Sequence, residues 1–315
     1  MTLVEATLRA VAILATFLVL PLLVGQLEHK VMAHMQGRLG PMYAGGFHGW
    51  AQLVADGVKF VQKEDITPAA ADRAVFKLAP AVALIPYLVA LAVLPLGPDL
   101  VGADVPAGAL VVLAASAVGV LGTLMAGWAS TNKYALLGGI RAAAQLIAYE
   151  LPMVLVVASV CIAAGTLSLP GIIHAWTPWW LLWQLPGALV FLLAATGELQ
   201  RPPFDMPVAD SEVVFGPYTE YTGLRFAFFL LAEYAGIVVF SIFFAVLFLG
   251  GFRGPFEHQF GWLWTILKAL IIVFVILWFR MSWPRMREDQ YQRLAWIGMV
   301  PLAVVQIVLT AVVLV

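Results

Sequence analysis

Apolar residues fall in eight long stretches, at roughly 7–27, 76–97, 106–128, 142–166, 180–197, 226–250, 262–281 and 294–314. A helix needs about 20 mostly apolar residues to cross a bilayer. Barrel strands would alternate polar and apolar at period two, and these stretches do not. A spanning segment must also satisfy its own backbone, which a helix does. The pattern predicts an all-α, polytopic membrane protein of about eight transmembrane helices, forming one membrane domain over residues 1–315. The longest polar connection is 28–75. Within it Phe47, Trp50, Val54, Val58 and Val61 recur at spacings of three and four, with Gln52, Asp56, Lys59 and Lys63 off the stripe. That periodicity predicts an amphipathic helix, starting after "GPMYAGG" and ending before Pro68. Such a helix lies in the membrane surface, packs under another subunit, or does both.

Composition agrees. The chain is 63% hydrophobic and 11% charged over 315 residues, against about 45–50% and 25% for soluble domains. A soluble globular enzyme is excluded. Charge then sets the topology. Of the 17 Lys and Arg, fourteen fall in loops after odd-numbered spans, leaving Arg9, Arg253 and the intramembrane Lys268. Under the positive-inside rule this places the basic loops in the cytoplasm and both termini outside. A net charge of −1 gives no footprint for nucleic acid. The single cysteine, Cys161, cannot hold an iron–sulfur cluster. No phosphate loop, dinucleotide fingerprint or metal-ligand spacing occurs, so no metal and no resident cofactor is expected in this chain.

Three groups of polar residues need a reason. Glu150, Glu233 and Lys268 lie within or at the edge of apolar spans, where charge is expensive. Glu150 follows Arg141 by nine residues, roughly 13 Å along a helix, and Glu233 follows Arg225 by eight. Carboxylates kept from water at similar depth can exchange protons near neutrality. The second group is the loop over 198–225. It carries Glu198, Asp205, Asp210, Glu212 and Glu220 against only Arg201 and Arg225. Pro202, Pro203, Pro207 and Pro217 stiffen it, and apolar residues are interleaved, which predicts a folded loop with its carboxylates held inside. Such a cluster titrates as a unit. The third group, in "LEHKVMAHMQGRLGP", sets Glu28, His29, Lys30, Gln36 and Arg38 beside methionines at a membrane surface. An apolar mouth with a few polar groups suits a long-tailed amphiphile.

At these segments the chain resembles the family of quinone-site membrane subunits of respiratory complex I. The matching runs are "EHKVMAHMQGRLGP", "LVADGVKFVQKEDITP", "GWASTNKYALLGGIRAAAQLIAYELP", "RPPFDMPVADSE", "TEYTGLRFAFFLLAEYAG" and "RMSWPRMREDQYQRLAW". The resemblance implies a subunit of proton-pumping NADH:quinone oxidoreductase in an energy-transducing membrane, the bacterial plasma membrane, whose cytoplasmic loops close a quinone chamber. It implies iron–sulfur and quinone-site subunits of the peripheral arm as partners, antiporter-like subunits within the membrane, and flavin and iron–sulfur clusters held by those partners. It places Glu28, Lys30, Arg38, Asp56, Lys59 and Phe60 at the chamber. Glu198, Asp205, Asp210, Glu212 and Glu220 fall in a coupling loop, and Glu150 and Glu233 on a carboxylate path, with Arg141, Arg201, Arg225 and Lys268 as supporting charges. The chain departs from the family pattern at His29, where arginine is usual, at Gln200 for asparagine, and at Val208 and Asp210 for glutamates. Three other readings stand beside it. They are a membrane-bound hydrogenase subunit of the same fold, a stand-alone ion transporter, and a purely structural anchor.

Overall fold

The computed structural model describes residues 3–98 and 100–314; nothing is stated of the side chains of residues 3–6, 8, 210, 211 and 314. Among the described residues all regular structure is helical. The helices are α1 (Leu3–Met35), α2 (Gln52–Gln62), α3 (Arg73–Val93), α4 (Gly108–Ala129), α5 (Lys133–Ala164), α6 (Leu169–Ala175), α7 (Trp180–Trp183), α8 (Leu185–Glu198), α9 (Asp210–Val213), α10 (Gly223–Phe248), α11 (Glu257–Ser282), α12 (Glu288–Arg293) and α13 (Val300–Leu314). A π-helical stretch, Leu294–Met299, joins the last two.

Seven of these segments are long and apolar enough to cross a membrane, counting Glu288–Val313 as one. The fifth predicted span, 180–197, is split. Pro186 sits in the first turn of α8, whose 14 residues reach only about 21 Å. α7 lies directly before it, and Gln184 N–H still donates to Trp180 O. Loop contacts show that the α7–α8 unit runs from one end of the bundle to the other. The segments after α1, α4, α8 and α11 meet at one end, where Thr222 Oγ1 donates to Glu64 O, Asn132 Nδ2 donates to Glu220 Oε1, and Met286 N–H donates to Pro203 O. The segments after α3, α5 and α10 meet at the other, where Ala109 N–H donates to Leu167 O and Trp176 Nε1 donates to Phe248 O. That parity needs eight passes along the bundle among the described residues.

Helices in lipid gain little from apolar burial against one another, so close backbone approach and polar contacts carry the packing. α4 meets α3 through Gly119 and Gly122 against Tyr87 and Ala83. It meets α5 where Gly127 lies against Gly139. α10 is the hub, touching α1, α2, α3, α6, α8 and α11. Its Phe240, Phe243, Phe244 and Phe248 surround Phe191 of α8, with ring centroids 5.6–6.4 Å from it.

Two sequence expectations change here. α1 does not end near residue 27 but runs to Met35, so Glu28, His29 and Lys30 ride on it. Nothing from Glu28 to Met35 breaks a helix, and Gly37, at φ 71°, provides the stop. The amphipathic helix forms as α2 but starts only at Gln52: Phe47 lies in a separate 3-10 turn, where His48 has φ 52°, and Trp50 precedes the helix, while Val54, Val58 and Val61 of the stripe are exposed on α2.

Candidate functional site

Arg201 organises the loop-rich end. It is 2% exposed, in the connection after α8, a position where only pairing makes a charge tolerable. Its guanidinium NH1 donates to Glu28 Oε2 on α1. Its Nε lies 2.8 Å from Glu233 Oε1 on α10. Its plane sits 4.9 Å from the Tyr234 ring. The other oxygen of Glu28 accepts from Arg280 NH1 on α11. Burial opposes the charge on Arg201, but Glu233 and Glu28 outweigh it and keep the guanidinium protonated. A loop residue thus ties three helices together.

This cluster forms one wall of a cavity of about 490 Å³. Other polar groups lining the cavity are His29, Arg38, Gln200 and Asp205, and Met32, Phe215, Phe226 and Phe229 line it as well. Size and mixed lining suit an organic ligand with a polar head. Glu233 also faces a second, smaller cavity of about 40 Å³, shared with Glu198 and with the hydroxyls of Tyr87, Tyr218 and Thr123. Tyr218 Oη lies 3.3 Å from Thr123 Oγ1, and burial pushes its phenol up to about 12. Glu150 follows as an electrostatic neighbour of Glu198. The carboxylates therefore run Glu28, Glu233, Glu198, Glu150, with Arg201 joining the first two.

The remaining candidates separate. Lys30 turns away from the cavity, to Pro41 O and Met42 Sδ. Gln36 is occupied by Arg38 Nε at 2.8 Å. Asp56 accepts from Gln52 and Lys59 on α2, and Lys59 is mostly exposed. Asp56 and Phe60 instead line an apolar groove of about 350 Å³ between α1, α2 and α10. Phe60 packs on Phe226, which also borders the larger cavity.

The acidic loop is not one buried cluster. Glu212 is exposed and pairs with Arg141 at 2.5 Å; that hydrogen bond holds its carboxyl below the usual range. Arg285 and Arg287 stand nearby and share an open surface hollow with this pair. Glu220 is engaged by Asn132 at 2.7 Å. Asp205 lines the larger cavity. The side chain of Asp210 lies outside the described residues. The loop's apolar residues take its interior, burying Phe204, Met206 and Val213. Glu150 and Glu233 are half-buried, whereas Glu28, expected at the surface, is 3% exposed. Arg225 reaches back to Asp65 at 2.9 Å and to Thr67, not to the loop acids. Lys268 donates to the carbonyls of Gly251 and Arg253 at the far end, capping the turn after α10.

Sequence reasoning passed over Arg280, Tyr87, Thr123 and Tyr234. Arg280 was legible only as one of many basic loop residues. The hydroxyls sit in apolar helices with no charge to mark them.

The family model for NADH dehydrogenase matches residues 8–311. Curated relatives include the H subunit of NADH-quinone oxidoreductase from Geobacillus kaustophilus (strain HTA426), 47% identical over 91% of this chain and 87% of the relative. The protein of the same name from Bacillus cytotoxicus is 45% identical, over 90% and 86%. The chain therefore belongs to the NADH dehydrogenase family, alongside the membrane proteins named as the H subunit of NADH-quinone oxidoreductase.

Proposed function

We propose that this chain is the membrane subunit of a proton-translocating NADH:quinone oxidoreductase that forms the quinone-access chamber with peripheral-arm subunits and couples quinone reduction to proton movement. The observation that carries this reading is Arg201, bound at once to Glu28 on the wall of the larger cavity and to Glu233, which both cavities share. The quinone headgroup occupies the larger cavity. Its tail leaves through the groove between α1, α2 and α10, beside Asp56 and Phe60. Electrons come from iron–sulfur clusters, and earlier from flavin, in partner subunits. This chain supplies no redox centre. Its own residues bind the quinone and respond to charge.

The response is large enough to matter. One unit charge at 10 Å, in an effective dielectric of about 20, shifts a neighbour by roughly 1.7 kcal/mol. That exceeds one pKa unit. Charge arriving in the chamber competes with Glu28 and Glu233 for Arg201. Glu233 then changes its proton occupancy, and Glu198 and Glu150 follow. Antiporter-like partner subunits take up the effect within the membrane. In this reading the loop-rich end and its basic residues face the cytoplasm of a bacterial cell, and both termini lie outside. Glu212 does not lie on the route; with Arg141, Arg285 and Arg287 it belongs to the face that meets the peripheral arm.

The test is Glu233→Gln in the assembled complex. Quinone reduction and the proton gradient in vesicles are expected to fall at least about tenfold, a barrier change of roughly 1.4 kcal/mol. Electron transfer to an acceptor that bypasses the quinone should persist. Wild-type quinone turnover and proton yield in that variant would overturn the proposal. The relatives' shared name favours this reading over a hydrogenase subunit.

A further inference from the structure

α2 forms one side of the apolar groove, yet none of its residues is buried. It rests on α1 and α10. A helix with so little packed surface depends on what holds its ends. Its C-terminal end is tied to the start of α10 several times over. Thr222 Oγ1 donates to Glu64 O at 3.1 Å and accepts from Ile66 N–H at 3.2 Å, and Arg225 pairs with Asp65 at 2.9 Å.

The other end is tied to α1. Gln26 Nε2 donates to Gly49 O at 3.1 Å. A carbonyl only accepts, so the amide nitrogen must face it. Gln26 Oε1 is buried with no partner among the described residues, which leaves the Nε2 bond to hold the amide. The backbone presenting that carbonyl is itself fixed. Gly49 takes φ 63°, with Pro41 O 2.6 Å from where a Cβ would stand. Trp50 Nε1 donates to Gly45 O at 2.9 Å. Beside Gln26, Gly25 leaves a seat for Leu53 of α2: a Cβ at Gly25 would lie 2.8 Å from Leu53 Cδ1 and 3.5 Å from the Tyr234 ring.

The position of this anchor matters. On α1, Gln26 stands between Leu18, Pro21 and Leu22, which line the groove, and Glu28, His29 and Met32, which line the larger cavity. Across from it on α10, Leu230 and Tyr234 border both spaces. The bond to Gly49 therefore joins α1 to the start of α2 where the groove meets the cavity. We propose that Gln26 is a positioning residue that fixes the start of α2 and so sets the width of the groove for the quinone tail. It touches neither the headgroup nor the carboxylates; it acts through the placement of Leu53 and the rest of α2. The proposal rests on the reading above, in which the tail leaves by this groove.

The test compares two quinones with one headgroup, a long polyprenyl tail on one and a single isoprene unit on the other, using the purified complex in vesicles. Gln26→Met keeps an unbranched side chain of similar length and removes the amide. Its KM for the long-tailed quinone is expected to rise about threefold or more, the scale of one lost neutral hydrogen bond. KM for the short-tailed quinone, and kcat for both, should stay within about twofold, because the headgroup's contacts are unchanged. A general loss of structure would move both quinones together. Gly57→Trp tests the route itself: Gly57 lines the groove and a Cβ there meets open space, so the indole fills the tail's path. If Gly57→Trp impairs the long-tailed quinone while Gln26→Met matches wild type with both, the positioning role is overturned and the route stands. An equal effect of Gln26→Met on both quinones also overturns it. If Gly57→Trp leaves the long-tailed quinone at wild-type KM and kcat, the groove is not the tail's path, and the positioning role falls with that reading. Should the Gln26→Met complex not assemble, Gln26→Leu is read by the same comparison; failure of both to assemble assigns Gln26 to the fold and overturns the role.

Discussion

Arg201 replaced by methionine keeps much of the side chain's volume and loses every charged contact. Glu233 would then lose its ion partner, and Glu28 would keep only Arg280. Removing one member of a buried ion network costs about 3–5 kcal/mol. Arg201→Met is therefore expected to reduce the amount of assembled complex as well as quinone turnover, read by membrane blotting and by activity per complex. Arg201→Lys should rescue little, because one ammonium cannot reproduce a planar fork spanning two carboxylates. Glu212 and Arg141 contrast with it, because they form an exposed pair. The folded state lowers the carboxyl of Glu212, so its stabilisation is present above the ordinary carboxylate range of about 4.3 and fades as pH falls through the lowered value. Exposure limits that contribution to about 1 kcal/mol at most. Arg141→Ala should lower the melting temperature of the detergent-purified complex by no more than a few degrees at pH 7. The difference from wild type should vanish in acid. A large loss at neutral pH would show that the pair is structurally more important than its exposure implies.

At the scale of helices, Gly138 on α5 sets how closely the acidic loop can approach. A Cβ there would lie 2.6 Å from Pro217 Cδ and 2.8 Å from both Gly216 Cα and Pro207 O. Gly138→Val should push the loop outward and destabilise the subunit by about 1–3 kcal/mol, the usual cost of overpacking. Faster limited proteolysis within 205–220 is the measurement. Apolar run lengths and charge parity made the crossings legible, because lipid thickness dictates both. The break at Pro186 lay in plain sight, but its effect on α8 depended on Trp180–Gln184 continuing the path. Val54, Val58 and Val61 of the stripe announced α2, but its first members, Phe47 and Trp50, fall before the helix starts. The site was half legible. Carboxylates in apolar surroundings, Glu150 and Glu233, could be picked out by their cost. Pairings were not, since Glu28 meets Arg201 and Arg280 across 173 and 252 residues. Nor could Glu212 be distinguished from Glu198: both read as loop acids, yet Glu198 ends α8 and is buried whereas Glu212 is exposed.

For the molecule as a whole, the two ends separate cleanly and can be tested by labelling. The native thiol, Cys161, is buried and should resist impermeant reagents. Cysteines introduced at Glu64 and at Phe256 would sit at opposite ends of the bundle. In sealed right-side-out vesicles only the Phe256→Cys protein is expected to label, and in inverted vesicles only the Glu64→Cys protein. Labelling of both from one side would refute eight crossings. The same arrangement bears on how the chain is made. Glu28 leaves the ribosome with the first helix, yet its partners lie 173 and 252 residues further on. At a synthesis rate of about 10 residues per second, the carboxylate waits on the order of 20 seconds for either arginine. During that interval the first helix lacks both partners that hold Glu28 in the folded chain; Arg201 comes first and Arg280 later. The network that fixes the first helix is therefore closed late, by residues from the second half of the chain.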